Sequence, residues 1–348
     1  MNNKERFLLA ADHKETDRVP MDIGNYFPGD QVSKKLMEAT GQHTAEGIYR
    51  FLGIDRRAVV PEYTGPKRFN EKGIELGIWG IPNSDNSFLP SDDKVLAKAE
   101  SVDEVESYSW PSVDWYNFDN IEKQCDEYSE YAVSGGFWGS IRSKCDILLG
   151  MQNAMIALYE KPHIVKAIIK KVGDFFYEAN TRFFEAANGK IDIFMTAEDL
   201  GTQNSILMSV DMFREFYFET HKKLIDLAKK HVKKIMFHSC GSVVSYIPML
   251  IELGADILNP IQLRASGMDP AYLKKSYGQK LCFHGGIDTQ FTLPLGSEED
   301  VRKEVRDRID VMGKNGGYIL APSQDFLPDI PVRNIIAIYD EGRKYIKR

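Results

Sequence analysis

The feature that most constrains the fold is a short apolar run, ending in polar or glycine residues, which recurs eight times along the chain. Helical patterns separate most of these runs, so each run and its helix read as one repeated βα unit. Eight such units close naturally into a ring of parallel strands surrounded by helices, and we predict an α/β fold with a single (β/α)8 barrel of the TIM type. The predicted strands lie at 19–24, 57–60, 131–135, 192–198, 234–240, 256–260, 281–286 and 317–322.

The chain is expected to form one domain that spans residues 1–348. Its hydrophobic content of 43% is enough to bury a large core, and no low-complexity linker divides it. An irregular stretch at about 65–114, with scattered Gly, Pro, Ser and Asp, follows the second strand, where barrel enzymes often build substrate loops. The predicted helices lie at 4–12, 30–40, 44–53, 117–128, 142–159, 161–187, 210–230, 243–253 and 335–345.

Bulk properties exclude several classes of protein. A net charge of −7 argues against a nucleic-acid-binding protein, which would carry a basic face. No apolar run reaches the roughly 18 residues that a membrane span needs, and the first residues contain no apolar signal core. The four cysteines lack the spacing of a disulfide scaffold. We therefore expect a cytoplasmic protein that binds neither nucleic acid nor membrane.

The fifth predicted strand brings a histidine and a cysteine to one place. His238 and Cys240 are two residues apart, so their side chains can point the same way, and Gly241 marks a turn directly after them. An imidazole and a thiolate together suit zinc. The alternative is a buried histidine with one hydrogen bond beside an inert thiol, because the spacing alone supplies no further ligand.

Polar residues also follow the other strands, and in a barrel the site lies at these carboxyl ends. Glu198 and Asp199 either act in the site or cap the next turn. His284 lies near the mouth, whereas Cys282 lies one layer deeper and is expected to pack. The full set of candidates comprises the catalytic residues Glu198, Asp199, His284 and Asp288, and the substrate-binding residues Asn25, Tyr26, Tyr63, Asn259, Gln262 and Gln324.

Five ordered motifs carry a resemblance to a known family. The chain resembles the uroporphyrinogen decarboxylase superfamily, which also holds corrinoid-dependent methyltransferases, from Asp17 to its last helix. The resemblance implies a β/α barrel, in agreement with the strand count. The motifs are Glu198-Asp199-Leu200-Gly201-Thr202-Gln203, Phe237-His238-Ser239-Cys240-Gly241, Gly254-Ala255-Asp256-Ile257-Leu258-Asn259-Pro260, His284-Gly285-Gly286-Ile287-Asp288-Thr289 and Gly316-Gly317-Tyr318-Ile319-Leu320-Ala321-Pro322.

The motifs favour the methyltransferase branch. The decarboxylases carry an arginine motif after the first strand and an aspartate motif after the second, and residues 22–26 and 59–63 match neither. The zinc methyltransferases have His-x-Cys and a distal cysteine. His238 and Cys240 match the first two positions, and Gln324 stands at the third. The resemblance therefore implies a substitute ligand, for which we rank Glu198 first, then His284 and then Asp325.

The implied reaction moves a methyl group between a small substrate (a methylated phenol, amine or thiol) and the cobalt of a corrinoid, with zinc as Lewis acid. No cobalamin-binding segment is visible in the sequence, so the corrinoid is expected on a partner protein or as free cobalamin. Many barrels of this family pair, and a homodimer is the assembly to test. Two alternatives remain open: a carboxy-lyase acting on a tetrapyrrole, and a barrel without catalysis. Arg142 and Arg264, the nearest cations, are expected to be solvated.

Overall fold

A curled sheet of seven parallel strands, covered by helices, dominates the computed structural model, which describes residues 1–24, 28–82 and 94–346. The sheet has the order β1-β6-β7-β8-β9-β10-β11, so neighbours in sequence are largely neighbours in space. The described strands are β1 (Arg56–Val59), β2 (Glu62–Tyr63), β3 (Arg68–Phe69), β4 (Glu75–Leu76), β5 (Tyr116–Asn117), β6 (Ala132–Gly135), β7 (Ile193–Ala197), β8 (Lys234–His238), β9 (Ile257–Ile261), β10 (Cys282–Ile287) and β11 (Tyr318–Pro322).

Seven of the eight predicted strands are confirmed to within two residues at each end. The prediction of a regular first strand at 19–24 is wrong, because only one parallel bridge forms there, between Met21 and Leu320. Pro20 has no N–H to donate, and Gly24 adopts a φ of 106° that ends the extended run. Even so, Met21 O accepts a 2.9 Å hydrogen bond from Asp55 N, just before β1. This segment therefore contacts both edges of the curled sheet, and the expected barrel is present only in part.

The predicted helices are largely confirmed, but two of them are interrupted. The helix expected at 210–230 contains a π-helical segment at Arg214–Phe218. The helix expected at 142–159 is two helices, because Gly150 between them has a φ of 84°. Ser209 accepts a hydrogen bond from Met212 N and caps the helix that follows. The described helices are α1 (Asn3–Ala11), α2 (Asp30–Thr40), α3 (Ala45–Leu52), α4 (Val102–Glu106), α5 (Ile121–Glu127), α6 (Ile141–Leu149), α7 (Met151–Glu160), α8 (Pro162–Ala187), α9 (Val210–Phe213), α10 (Glu219–Ala228), α11 (Ile247–Leu253), α12 (Pro270–Tyr277), α13 (Thr292–Leu295), α14 (Glu298–Met312) and α15 (Val332–Lys344).

The irregular stretch after β1 contains two small antiparallel pairs. Strand β2 pairs with β5, and β3 pairs with β4 in a hairpin. Residues 83–93 of this stretch lie outside the described part. Among the residues that the structure does describe, no helix has both the length and the apolar character needed to cross a membrane.

The interior of the curled sheet is arranged in layers. One layer is an apolar floor, in which Met236, Ile257 and Cys282 pack together with Phe7 of α1. Because side chains on a strand alternate between its two faces, the residues two positions later form the next layer toward the carboxyl ends. The expectation that Cys282 packs in the deeper layer is confirmed. Burial raises the pKa of this thiol to about 12, so it stays uncharged.

Candidate functional site

The layer above the apolar floor is polar. His238, Asn259 and His284 come from β8, β9 and β10, each two residues beyond a floor residue, and all three are buried. His238 Nδ1 lies 2.6 Å from Asn259 Oδ1, and Asn259 Nδ2 lies 2.8 Å from His284 Nδ1. The sequence therefore brings these three candidates together, as predicted, at the carboxyl ends of neighbouring strands.

The donor atoms of Asp199, His238 and Cys240 converge within 4.8 Å of one another. His238 Nε2 lies 3.5 Å from Cys240 Sγ and 3.6 Å from Asp199 Oδ1. The Cys240 N–H also donates to Asp199 Oδ1 at 3.4 Å. One imidazole nitrogen, one sulfur and one carboxylate oxygen form a donor set that fits zinc, and three protein ligands leave the fourth position that catalytic zinc sites keep open.

Electrostatics in this group favour a positive charge between the acid and the thiol. Burial alone would lower the pKa of His238, but Asp199 and Cys240 outweigh it and raise this pKa to about 10. The same pairing with His238 holds the pKa of Asp199 below its usual range. In the metal-free group, the His238 imidazolium thus supplies the positive charge that a bound cation would bring.

Two glycines set the separation of the acid from the thiol. Gly241 has a φ of 83°, and a Cβ on it would lie 2.6 Å from the carbonyl oxygen of Thr202. A Cβ on Gly201 would lie 2.8 Å from the carbonyl oxygen of Cys240. Both distances are shorter than a Cβ tolerates, so only glycine allows the two loops to pack main chain against main chain. This contact brings Asp199 beside Cys240.

Glu198, ranked first as a substitute ligand, is not part of the donor group. Its fully buried carboxylate accepts hydrogen bonds from the Arg142 and Ser143 N–H groups, at 2.5 and 3.1 Å, where α6 begins. It also lies 3.0 Å from His221 Nε2. A carboxylate is favoured at the first turn of a helix, where backbone N–H groups lack partners. The expected placement of Glu198 among the metal donors is therefore corrected, because the carboxylate in the donor group is that of Asp199.

This correction gives a prediction for two adjacent acids. Glu198→Ala should lower the free energy of unfolding by about 3 kcal/mol, because buried donors around it lose their acceptor, while zinc affinity stays near that of the wild type. Asp199→Ala should lower zinc affinity and leave the free energy of unfolding near that of the wild type, because this side chain is 55% exposed and lies in the donor group. Urea unfolding measures the stability of both variants, and zinc titration measures their affinity for the metal. A stable Glu198→Ala protein that has lost zinc would contradict it.

His284 is placed in the site but not at its open end. Its Nε2 lies 3.0 Å from Asp22 Oδ2, and its Nδ1 faces Asn259, so both ring nitrogens are engaged in a fully buried position. Asp22 Oδ2 also accepts a 2.5 Å hydrogen bond from Arg56 Nε. Burial is the main reason that the pKa of His284 lies below its usual value. His284 therefore supports the site from behind and does not touch the donor group.

The charge of Asp22 has a measurable consequence. Burial would raise its pKa, but Arg56 and His284 together lower it from 3.8 to about 2. The resulting stabilisation, about 2 kcal/mol at roughly 1.4 kcal/mol for each pKa unit, is present above pH 4 and is lost as the pH falls toward 2. We expect the difference in unfolding free energy between the wild type and Asp22→Asn to shrink by this amount between pH 5 and pH 2. Urea titrations across that range measure it, and a constant difference would contradict the assignment.

A cleft of about 510 Å³ opens onto Cys240. Gln324 Nε2 donates to Cys240 Sγ at 3.1 Å, and Gln262 Oε1 accepts from the Gly241 N–H at 2.8 Å. The predicted substrate-binding residues Gln262 and Gln324 are thus both placed beside the thiol. The described lining comprises Gly201, Thr202, Gln203, Cys240, Gly241, Gln262, Leu263, Arg264, Asp288, Thr289, Gln290, Ser323, Gln324, Asp325, Leu327 and Asp329.

Asp288 and Arg264 form one wall of the cleft. Asp288 Oδ1 accepts from the Gln290 and Phe291 N–H groups, and Asp288 Oδ2 accepts from Arg264 Nε. The Arg264 guanidinium stacks over the Phe291 ring at 3.8 Å. Both carboxylate oxygens of Asp288 are thus engaged, one by a turn and one by Arg264, and its expected catalytic role stays a prediction. The expectation that Arg264 is merely solvated is corrected, because it lines the cleft. Asp325, ranked third as a substitute ligand, lines it too.

The remaining candidates lie elsewhere. Tyr63 lines a separate pocket of about 650 Å³ together with Trp79 and Tyr116, and its hydroxyl donates to Pro66 O. Tyr63 therefore lies away from the cleft beside Cys240, and its expected role in substrate binding stays a prediction. Asn25 and Tyr26 lie outside the described residues. Arg142, expected to be solvated, is buried and paired with Asp146.

Sequence reasoning missed Asp22 and Arg56 as a buried pair behind the site. Asp22 stands at the end of an expected strand, and Arg56 begins the next one, where a basic residue inside an otherwise apolar barrel was the available signal. A buried arginine requires an acid partner.

Comparison with known proteins adds the following findings. The family model of uroporphyrinogen decarboxylase (URO-D) matches residues 89–345. A methyltransferase from Methanosarcina mazei shares the fold with a TM-score of 0.64, at 17% sequence identity over 99% of each chain. A B12-independent methionine synthase from a Shewanella species gives a TM-score of 0.42, at 12% identity over 64% of this chain and 65% of that one. No curated protein matches the sequence. At 17% identity, the likeness to the Methanosarcina protein concerns the fold alone.

Proposed function

Because the chain belongs to the uroporphyrinogen decarboxylase family, we propose that it is a methyltransferase of that family that uses zinc to activate its substrate. The observation that carries the proposal is the convergence of Asp199, His238 and Cys240, the last of which lines a cleft of about 510 Å³. The methyl group would pass between a small methylated phenol, amine or thiol and a corrinoid, which a partner protein or free cobalamin supplies.

The three donors would hold the zinc, which when bound acts as a Lewis acid on a substrate thiol or oxygen. His238 offers Nε2, since its Nδ1 is occupied by Asn259. Two hydrogen bonds position Cys240. Its N–H donates to Asp199 Oδ1, and its sulfur accepts from the side-chain amide of Gln324. Gln324 stands where the zinc methyltransferases have their second cysteine, the third protein ligand, so the cleft side of the group is left for the substrate.

The charge of the cleft favours a methyltransferase over a tetrapyrrole lyase. In the described part of the lining, Arg264 is the only cationic side chain, and three acids line the same cleft: Asp288, Asp325 and Asp329. A porphyrinogen with several carboxylates needs several cationic partners to offset the loss of hydration on binding. A small substrate with little charge has no such requirement, and this supports the proposed substrate class.

The test follows both reactions in parallel. Zinc-loaded protein is incubated with reduced cobalamin and a panel of methylated phenols, amines and thiols, and methylcobalamin is followed by its absorption. A second incubation contains uroporphyrinogen. We expect methylcobalamin in the first, dependent on zinc and lost in Cys240→Ser, and no decarboxylation in the second. Decarboxylation without methyl transfer would overturn the proposal in favour of the lyase.

A further inference from the structure

A chain of buried hydrogen bonds leads from a fixed charge to the back of His238. Arg56 Nε lies 2.5 Å from Asp22 Oδ2, and that oxygen lies 3.0 Å from His284 Nε2. His284 Nδ1 lies 2.8 Å from Asn259 Nδ2, and Asn259 Oδ1 lies 2.6 Å from His238 Nδ1. All five side chains are at least 90% buried, so no water competes for these contacts from bulk solvent.

The carboxylate at one end sets the direction of every bond in this chain. An ionised Asp22 only accepts hydrogen bonds, so the hydrogen on His284 must be at Nε2. The neutral ring of His284 then presents a lone pair at Nδ1. This lone pair accepts from the amide nitrogen of Asn259, and it therefore fixes which end of the Asn259 side chain is nitrogen.

The amide oxygen of Asn259 must consequently face His238. An oxygen only accepts, so His238 Nδ1 carries a hydrogen, and Nε2 is the nitrogen that faces Cys240 and Asp199. The reversed chain would place a lone pair of His284 Nε2 against the Asp22 carboxylate, which is repulsive. The direction of the chain is therefore determined by the charge at its far end.

We infer that Asp22 and His284 are positioning residues, which act through Asn259 to keep a hydrogen on His238 Nδ1 and so leave Nε2 as the nitrogen that can bind the cation. The inference rests on the proposed zinc function for its use, but the direction of the hydrogen bonds does not depend on it. Partners of this kind behind a ligating histidine raise metal affinity, and their loss lowers it about 10- to 100-fold.

A rescue experiment separates this role from simple packing. His284→Phe removes the acceptor that orients Asn259, and we expect zinc affinity to fall about 10- to 100-fold. Adding Asn259→Asp should restore most of the loss, because a carboxylate accepts from His238 Nδ1 whichever way it is turned. His221→Phe is the matched control, since His221 is equally buried but contacts Glu198. It should leave zinc affinity within about threefold of the wild type, well inside the loss expected for a supporting partner.

Zinc affinity is measured by competition with a chelator, and cobalt absorption reports the same site. The nitrogen chemical shifts of His284 in metal-free protein provide a second readout, with a hydrogen expected on Nε2 and none on Nδ1. A hydrogen on His284 Nδ1, or a double variant no better than His284→Phe alone, would overturn the inference. Zinc binding and rescue without methyl transfer would uphold it while refuting the proposed function. If the wild type binds no zinc, the nitrogen shifts decide the inference alone.

Discussion

Cys240→Ser is expected to lower the affinity of the protein for zinc by more than about 100-fold, because losing a ligand costs more than losing a partner behind a ligand. The serine hydroxyl is a poor replacement for thiolate, the softest donor that the group offers. The remaining donors, His238 and Asp199, supply one nitrogen and one oxygen. Chelator competition measures the affinity, and metal analysis after gel filtration gives the stoichiometry.

Cys282→Ser provides the matched control. Cys282 belongs to the apolar floor, and its buried thiol lies one layer below the polar residues. This variant should keep the zinc affinity of the wild type but lose stability, because it buries a hydroxyl in an apolar layer. If Cys240→Ser retained its zinc, the assignment of the sulfur ligand would be wrong, whether or not another metal site exists.

Gln324→Cys is expected to raise zinc affinity by at least about tenfold, since a second thiolate would complete a four-ligand site of the kind that binds zinc most tightly. Gln324 already reaches Cys240, with its amide nitrogen 3.1 Å from the sulfur. The same change should reduce any reaction that needs the open position. Affinity by competition and methylcobalamin formation, measured on one preparation, test the two effects together.

The control for this variant is Gln324→Ser. Serine has the size of cysteine and also removes the amide that contacts Cys240, but it adds no thiolate. A rise in affinity seen equally in both variants would assign the effect to the lost amide. A rise confined to the cysteine variant would show that position 324 lies within bonding distance of the cation. No change in either would contradict the predicted geometry.

The strands could be predicted because their apolar composition matches the burial that the folded sheet requires of them. Runs such as Ile193–Ala197 and Ile257–Ile261 are buried along their whole length, and a parallel sheet covered on both faces requires continuous apolar runs. The segment near Met21 differs, because its pairing depends on two distant edges of the sheet. Its apolar residues indicate burial, but Pro20 and Gly24 limit the ladder to one bridge.

The sequence was sufficient to predict His238 and Cys240 as donors, but it could not show which acid joins them. Glu198 and Asp199 are adjacent, both follow β7, and alternation along a strand cannot decide between them once the strand has ended. Helix α6 determines which acid joins the donor group, because N–H groups in its first turn donate hydrogen bonds to the carboxylate of Glu198. That contact joins residues more than 50 positions apart, so no local pattern contains it.

Tyr63 lies away from the cleft beside Cys240 for a similar reason. The chain leaves the sheet after Val59, and β2 turns Tyr63 toward Tyr116 of β5, with ring centroids 5.4 Å apart. A strand-end rule assumes that the next residues stay at the mouth of the barrel. Here an extra antiparallel pair intervenes, and its partner lies beyond an irregular stretch of about 50 residues whose pairing the sequence pattern does not reveal.

The contact between the Gly201 and Gly241 loops limits which changes in the donor group evolution can make. Because main chain meets main chain there, neither position accepts a side chain, and the spacing between the Asp199 carboxylate and the Cys240 sulfur cannot be adjusted by substitution within the loops. Selection acting on metal preference or substrate must then use positions that face the group from other strands. Position 324 is such a place, since its side chain touches the sulfur from β11's side of the cleft. Relatives with the same glycines are expected to share the geometry of acid and thiol and to differ in chemistry at that single opposing residue.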